Sequence, residues 1–164
     1  MNSGKIIKEF APTKQNRRNS EGAFIRMKDG AIAFAFTRYR SGHEDGNGAD
    51  IAVSFSYDEG ETFGKERVVL TYEECNAMNI MSVSLLDLGD QIGVYYLKKE
   101  KGLLCRLFMR KTVDFISFSE EKICTDVNAY IVVNNDRVRK LSDGRVVFLW
   151  FLRFVNQARR RGQR

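Results

Sequence analysis

Ser56 and Asp58, a hydroxyl and a carboxylate two positions apart, open the run Ser56-Tyr57-Asp58-Glu59-Gly60-Glu61-Thr62-Phe63. A carboxylate beside a hydroxyl invites an acid or base role, but the spacing suits a different chemistry. Ser56 and Asp58 can exchange hydrogen bonds with the backbone of a tight turn. Gly60 supplies a conformation that other residues resist, and Phe63 can plug a gap between sheets. The run therefore reads as architecture, and Asp58 as structural. His43 is the only histidine, which removes any His-dependent triad or multi-histidine metal site and leaves a loop residue. Cys75, Cys105 and Cys124 are odd in number, widely spaced and without a Cys-x-x-Cys pair. They predict buried thiols, with neither a disulfide framework nor a zinc site. No metal and no cofactor is expected.

The elements that position such a turn are strands. Twelve Phe, thirteen Gly and one Pro (Pro12) in 164 residues suit a turn-rich β protein of one domain better than a helical one. A formal net charge of +6 first suggests an acidic partner. However, Asn156-Gln-Ala-Arg-Arg-Arg-Gly-Gln-Arg164 holds four arginines and no acid, so the charge falls from +6 to +2 without it. A near-neutral body with a basic tail, and no aromatic-lined basic face, points away from nucleic acid. Met1 to Phe10 lacks the apolar core of a secretory leader. The run from Val146 to Val155 is broken by Arg153 and has about half the length of a spanning helix. No membrane association is expected, and the location predicted is cytoplasmic.

Three segments repeat one layout of apolar strand, tight turn and apolar strand. They are Gly22 to Phe36, Val83 to Tyr96 and Val138 to Trp150. Aligned on Gly30, Asp90 and Gly144, they recur at roughly 60 and 54 residues, slightly above the usual blade period of a propeller. Asp-Gly between β-rich runs is a strong hairpin signal. Asp50 to Ser56 and Arg67 to Thr71 supply the third and fourth strands of a first blade, joined by the Ser56–Phe63 turn, which has the pattern of an Asp-box. Leu103 to Met109 is the third strand of a second blade. Its following turn, Lys111 to Phe118, reads as a decayed Asp-box keeping only the terminal aromatic. The fold class predicted is all-β, a β-propeller of about two and a half blades. The divisions are a lead-in over 1–16, blade one over 17–73, blade two over 74–127, the start of blade three over 128–150, and a basic, non-propeller tail over 151–164. Nothing after Trp150 reads as a third strand. Since closed propellers usually have at least four blades, either the chain is part of a longer protein or further copies complete a ring as a homo-oligomer.

Three stretches resemble bacterial exo-sialidases and their Asp-box relatives. These are Arg18-Asn-Ser-Glu-Gly-Ala-Phe-Ile with Lys28-Asp-Gly-Ala-Ile-Ala-Phe-Ala-Phe-Thr-Arg38, then Ala49 to Phe63, then Val133-Asn-Asn-Asp-Arg-Val-Arg-Lys-Leu-Ser-Asp-Gly-Arg145. The resemblance covers residues 17–148. It implies the N-terminal portion of a six-bladed propeller that binds or cleaves terminal sialic acid or a related acidic sugar. In this family arginines hold the sugar carboxylate, an arrangement favoured by bidentate, charge-assisted hydrogen bonds. A Glu-activated Tyr is the nucleophile, avoiding the repulsion an anionic substrate would exert on a carboxylate, and an Asp on a first-blade loop is the acid/base.

Carried over, the resemblance makes Arg18, or its neighbour Arg17, the first substrate-binding arginine, although Asn19-Ser20 follow where Ile-Pro is common. Arg38 matches the arginine ending the second strand. Asp45 in the loop Arg40-Ser-Gly-His-Glu-Asp-Gly-Asn-Gly48 is the catalytic acid/base candidate, with Glu44 and Asp50 as rivals. Asn79 stands near where the family often has an Asp in blade two. Asn135, Asp136 and Arg137, with Asn134, sit at the matching end of blade three and join the substrate-binding set. The Tyr–Glu nucleophile belongs to later blades of the family. The expected function is an exo-sialidase-like glycoside hydrolase or its N-terminal fragment. The alternatives are a non-catalytic Asp-box module for glycan binding or protein contact, and an inactive truncated product.

Overall fold

The computed structural model describes residues 4–40, 42–102 and 104–153; most of the basic tail lies outside them. The described residues are all-β, with antiparallel sheets and no helix. Strands β1 (Arg18–Arg26), β2 (Ile32–Tyr39), β3 (Ala49–Ser56) and β4 (Arg67–Leu70) form one four-stranded sheet in sequence order. Strands β5 (Asn79–Asp87), β6 (Ile92–Lys99), β7 (Cys105–Thr112) and β8 (Lys122–Ile123) repeat that order in a second sheet. A third, shorter arrangement pairs β9 (Ile131–Val132) with β12 (Phe151–Leu152), and β10 (Arg139–Lys140) with β11 (Val146–Val147). Phe151 and Leu152 prolong the second strand of the third hairpin two residues beyond Trp150, pairing back onto Val132 and Ile131. The described residues do not close a ring.

The hairpin turns follow from local chemistry. Gly30 and Gly144 take the positive φ (90° and 85°) that the Asp-Gly reading required, and in the second hairpin Gly89 (95°), one residue before Asp90, does the same. At each turn an Asp side chain two residues earlier caps a backbone N–H. Asp29 accepts from Ala31, Asp87 from Gly89 and Asp143 from Arg145, at 2.7–3.0 Å.

Alternation along β2 decides where its side chains go. Ala33, Ala35, Thr37 and Tyr39 are buried on one face, which meets the second sheet. The small alanines let the sheets approach, so Ile51 and Val53 pack against Ile80, Val83, Val94 and Tyr96. Each such aliphatic side chain contributes about 1.5–3 kcal/mol. The other face carries Ile32, Phe34, Phe36 and Arg38. Phe10 from the lead-in covers part of it, with ring centroids 5.8 and 4.8 Å from Phe34 and Phe36. A second core joins Leu97, Cys105 and Leu107 to Ile131, Val133 and Val138.

The first strand of each unit is irregular at the same level. In β1, residues 20–21 stand against Thr37 alone, and in β5, residues 82–83 stand against Tyr96 alone. In the third unit, residues 133–138 lie outside the strand pairs, between β9 and β10. Bulges such as the first two bend a strand and re-aim its side chains. Ser82 and Asp136 adopt positive φ (56° and 51°), and the 133–138 segment docks on the β5 bulge. Asp136 N donates to Val83 O and Arg137 N to Ser84 Oγ, both at 3.0 Å.

The turn at 56–63 makes the hydrogen bonds its sequence called for. Ser56 Oγ donates to Asp58 Oδ1 (2.8 Å) and accepts from Gly60 N (2.9 Å), while Asp58 accepts from Thr62 N and Thr62 Oγ1 (2.9 and 2.6 Å). Glu59 and Gly60 have φ of 57° and 89°. The turn after β7 keeps more than its terminal aromatic, correcting the reading of it as decayed. Thr112 and Asp114 repeat the hydroxyl–carboxylate pair, and Asp114 Oδ1 accepts from Ile116 N and Ser117 N (2.8 and 3.0 Å).

Candidate functional site

Arg18 lies directly opposite Tyr39 in the β1–β2 ladder, so both side chains share the face that meets the second sheet. The guanidinium stacks on the Tyr39 ring at 3.9 Å. Its NH1 donates to His43 O and its NH2 to Asp45 Oδ1, each at 2.6 Å. Tyr39 Oη is 3.5 Å from the same Asp45 oxygen. Burial pulls the Arg18 pKa down, but the hydrogen bond and charge of Asp45 outweigh it and leave the guanidinium above its ordinary value. Burial pushes the Tyr39 phenol up, an effect moderated by Arg18.

The loop bearing Asp45 is tied from several sides. Asn79 Nδ2 donates to Asp45 O and Asn47 O (3.1 and 2.5 Å), Glu44 N donates to Asn47 Oδ1 (2.9 Å), and Arg40 N donates to Gly48 O (3.0 Å). Gly48 lies so close to the Tyr72 ring that a Cβ would come within 2.6 Å of it.

This cluster forms one wall of an open cleft of about 1060 Å³. The bulges of β1 and β5 supply Ser20 and Ser82, with Met81 beside the latter, and the far wall is Tyr130 to Arg137 together with Arg153. Arg153 and Lys99 both approach the Tyr130 ring, 5.6 and 5.9 Å from its centroid. Its phenol is pushed up chiefly by burial.

The expected site residues divide into three groups. Arg18 and Asp45 come together on one wall, and Asn135, Asp136 and Arg137 line the opposite one. Asp136 receives both outer nitrogens of Arg139 at 3.0 Å. Asn79 is fully buried behind the Asp45 loop and holds its carbonyls rather than facing the cleft. Arg38 does not reach the cleft: it is paired in register with Asn19 and Asp50 on the opposite face from Tyr39. Asp50, a rival acid, is buried in an ion pair with Arg40 (2.7 Å) and accepts from Tyr72 N. Its carboxyl is raised by burial against the pull of Arg40, and Arg40 also pairs with Glu73. Glu44 is exposed on the loop.

Tyr39, Tyr130 and Arg153 are cleft residues that the sequence reading missed. Alternation from Arg38 signals Tyr39, since adjacent strand residues face opposite ways. The other two carry no signal without knowledge of how the third unit docks. A Tyr–Glu hydrogen bond does occur, from Tyr96 Oη to Glu121 Oε1 at 2.7 Å, with Lys98 Nζ 2.6 Å from Glu121 Oε2. It lies in the core beside Cys75, where burial drives the Tyr96 phenol far up. It lines no part of the cleft.

No family model matches the chain, and no curated protein matches it in sequence. Among solved structures, Hadza microbial sialidase Hz136 is similar, with a TM-score of 0.67 and 15% identity over 82% of this chain and 32% of that one. The chain thus spans about a third of that structure's length. At that identity the likeness shows the fold: sialidase-like, all-β and propeller-like.

Proposed function

We propose that this chain is part of an exo-sialidase-like glycoside hydrolase whose cleft takes a terminal sialic acid or a related acidic sugar. The observation that carries this reading is the Arg18–Asp45 pair, 2.6 Å apart over the Tyr39 ring at the edge of the cleft. Asp45 is the acid/base in this reading, moving a proton to or from the glycosidic oxygen. Its carboxylate is largely exposed (71%) and can reach a ligand, unlike the buried Asp50. The sialidase-like fold supports the same class of substrate. The nucleophile is not assigned to any described residue.

The test is release of a fluorophore from a sialoside by the protein carrying this chain and by its Asp45→Asn variant. Turnover that falls by roughly 100-fold or more in the variant is expected of a lost acid/base. No turnover on any common linkage would sink the hydrolase reading. Sialic acid binding without cleavage, indifferent to Asp45→Asn, would instead mark a non-catalytic glycan-binding module.

A further inference from the structure

Asp45 is held from outside its own loop at two levels. Its carboxylate meets Arg18 and Tyr39 of the first sheet. Its backbone is held from the second sheet, by Asn79. That residue opens β5, opposite Lys99 in the β5–β6 ladder, and is fully buried. Its Nδ2 donates to Asp45 O at 3.1 Å and to Asn47 O at 2.5 Å, the carbonyls on either side of Gly46. Burial raises the Tyr39 phenol, and a hydrogen bond from the Asn79 side chain moderates that rise. The Asn79 Oδ1, by contrast, is buried without a hydrogen-bond partner. Turning the amide over would aim that oxygen at two carbonyl oxygens, so its orientation is fixed. An unpaired buried acceptor carries a desolvation cost, and Asn79 bears it while acting as a donor alone. An apolar residue could fill the same space without that cost, but it would leave both loop carbonyls unheld.

We propose that Asn79 is a positioning residue for Asp45: its amide, fixed in the second sheet, sets where the 42–48 loop stands over the cleft and so where the Asp45 carboxylate reaches. The proposal rests on the acid/base reading of Asp45 above and adds the residue that aims it. The acid would then belong to the first sheet by sequence and to the second by placement. Its geometry depends on how the two sheets dock.

Asn79→Asp tests this with almost no change of shape. Ionised, the new carboxyl offers no donor to either loop carbonyl; protonated, its O–H restores one bond. Burial raises a carboxyl's pKa, so that restoration should come as pH falls. Asn79→Ala removes the donors at every pH. Both variants of the protein carrying this chain are assayed for sialoside hydrolysis across a pH series, with hydrogen-exchange protection followed at residues 44–48. At neutral pH, kcat in Asn79→Asp should fall by roughly 100-fold, the scale of a misplacement of about 1 Å, with KM little changed. Protection should be lost at 44–48 and kept at the Ser56–Phe63 turn. Measured against the unmodified protein at each pH, both losses should shrink on acidification in Asn79→Asp and persist in Asn79→Ala. Thermal melts check folding, and Asn79→Ala carries the comparison if Asn79→Asp does not fold. Full turnover in Asn79→Ala, or lost turnover with protection intact at 44–48, overturns the proposal while the hydrolase reading stands. A loss that acid does not reverse in folded Asn79→Asp overturns it as well. No turnover by the unmodified protein sinks the hydrolase reading, and the proposal with it.

Discussion

The turns at 56–63 and 112–118 use the same pair, a hydroxyl followed two residues later by Asp, for different purposes. In the first turn the left-handed positions are Glu59, whose side chain is exposed, and Gly60. Glu59 takes a two-pronged bond from Arg26 (2.8 and 2.6 Å), and Phe63 is only half-buried beside Phe24. In the second turn the left-handed position is Phe115 (φ 58°), whose side chain is 1% exposed and stands 5.9 Å from Phe55 of the first sheet. Arg67 NH2 of β4 reaches across to Asp114 O at 3.0 Å. The first turn caps a sheet edge, whereas the second joins two sheets. The plug expected of Phe63 is supplied by Phe115. The two turns share only the hydroxyl-to-carboxylate bond. Ser56 and Asp58 accept from N–H groups four residues on, whereas Thr112 and Asp114 accept from those two and three residues on. The side chain at the left-handed position decides what each turn connects.

The largest break in this contrast should come from Phe115→Ala. Removing a fully buried aromatic should cost about 3–5 kcal/mol, and Phe63→Ala less than half of that, as read by urea unfolding. Equal losses would show that both turns join sheets. Gly60→Ala should cost about 1 kcal/mol or somewhat more, because alanine tolerates φ near 89° poorly. Arg67→Ala, which unties the second turn from the first sheet, should cost roughly 1 kcal/mol and should speed hydrogen exchange at Ile116 and Ser117 selectively.

Acid sharpens the comparison from another side. Hydrogen bonds from the Thr62 side chain, then from the Thr62 backbone and Ser56, hold the Asp58 carboxyl at about 2, below its ordinary 3.8. Backbone donors at Ser117 and Ile116 lower Asp114 in the same direction. A depressed carboxyl stabilises the fold above its unfolded value and loses that contribution as pH falls. Stability should therefore decline between about pH 4 and pH 2. Asp58→Asn should flatten this decline in thermal melts, and an unchanged slope would mean that the Asp58 bonds do not hold in solution.

Much of the scaffold was legible because its signals are local. Alternation in β2, the Asp-Gly turn at Gly30 and the Ser56–Phe63 pattern each depend on residues within a few positions. The second turn carries less signal because its left-handed position is Phe115 rather than glycine and its Asp114 binds N–H groups two and three residues on, where Asp58 binds Thr62 four residues on. The strand at Phe151–Leu152 is only two residues long and exists by pairing with Ile131–Val132, a long-range event with no local mark. The site was legible in part. Arg18 and Asp45 meet because β1 and the 42–48 loop share one sheet end. Arg38 was placed one residue out of phase with the cleft, since Tyr39 faces Arg18. Asn79 was found as a polar residue in the right neighbourhood, but its burial under the loop depends on how two sheets dock.

The two bulges and the 133–138 segment also bear on how this cleft can change. β1 and β5 each carry one residue more than their partner, and 133–138 lies between two strand pairs, so Ser20, Ser82 and the Asn134–Asp136 segment stand outside the regular ladders while lining the cavity. Substitutions there alter the lining without breaking a cross-strand pair. Mutational drift, or a library randomised at these positions, could retune ligand preference while the sheets fold as before.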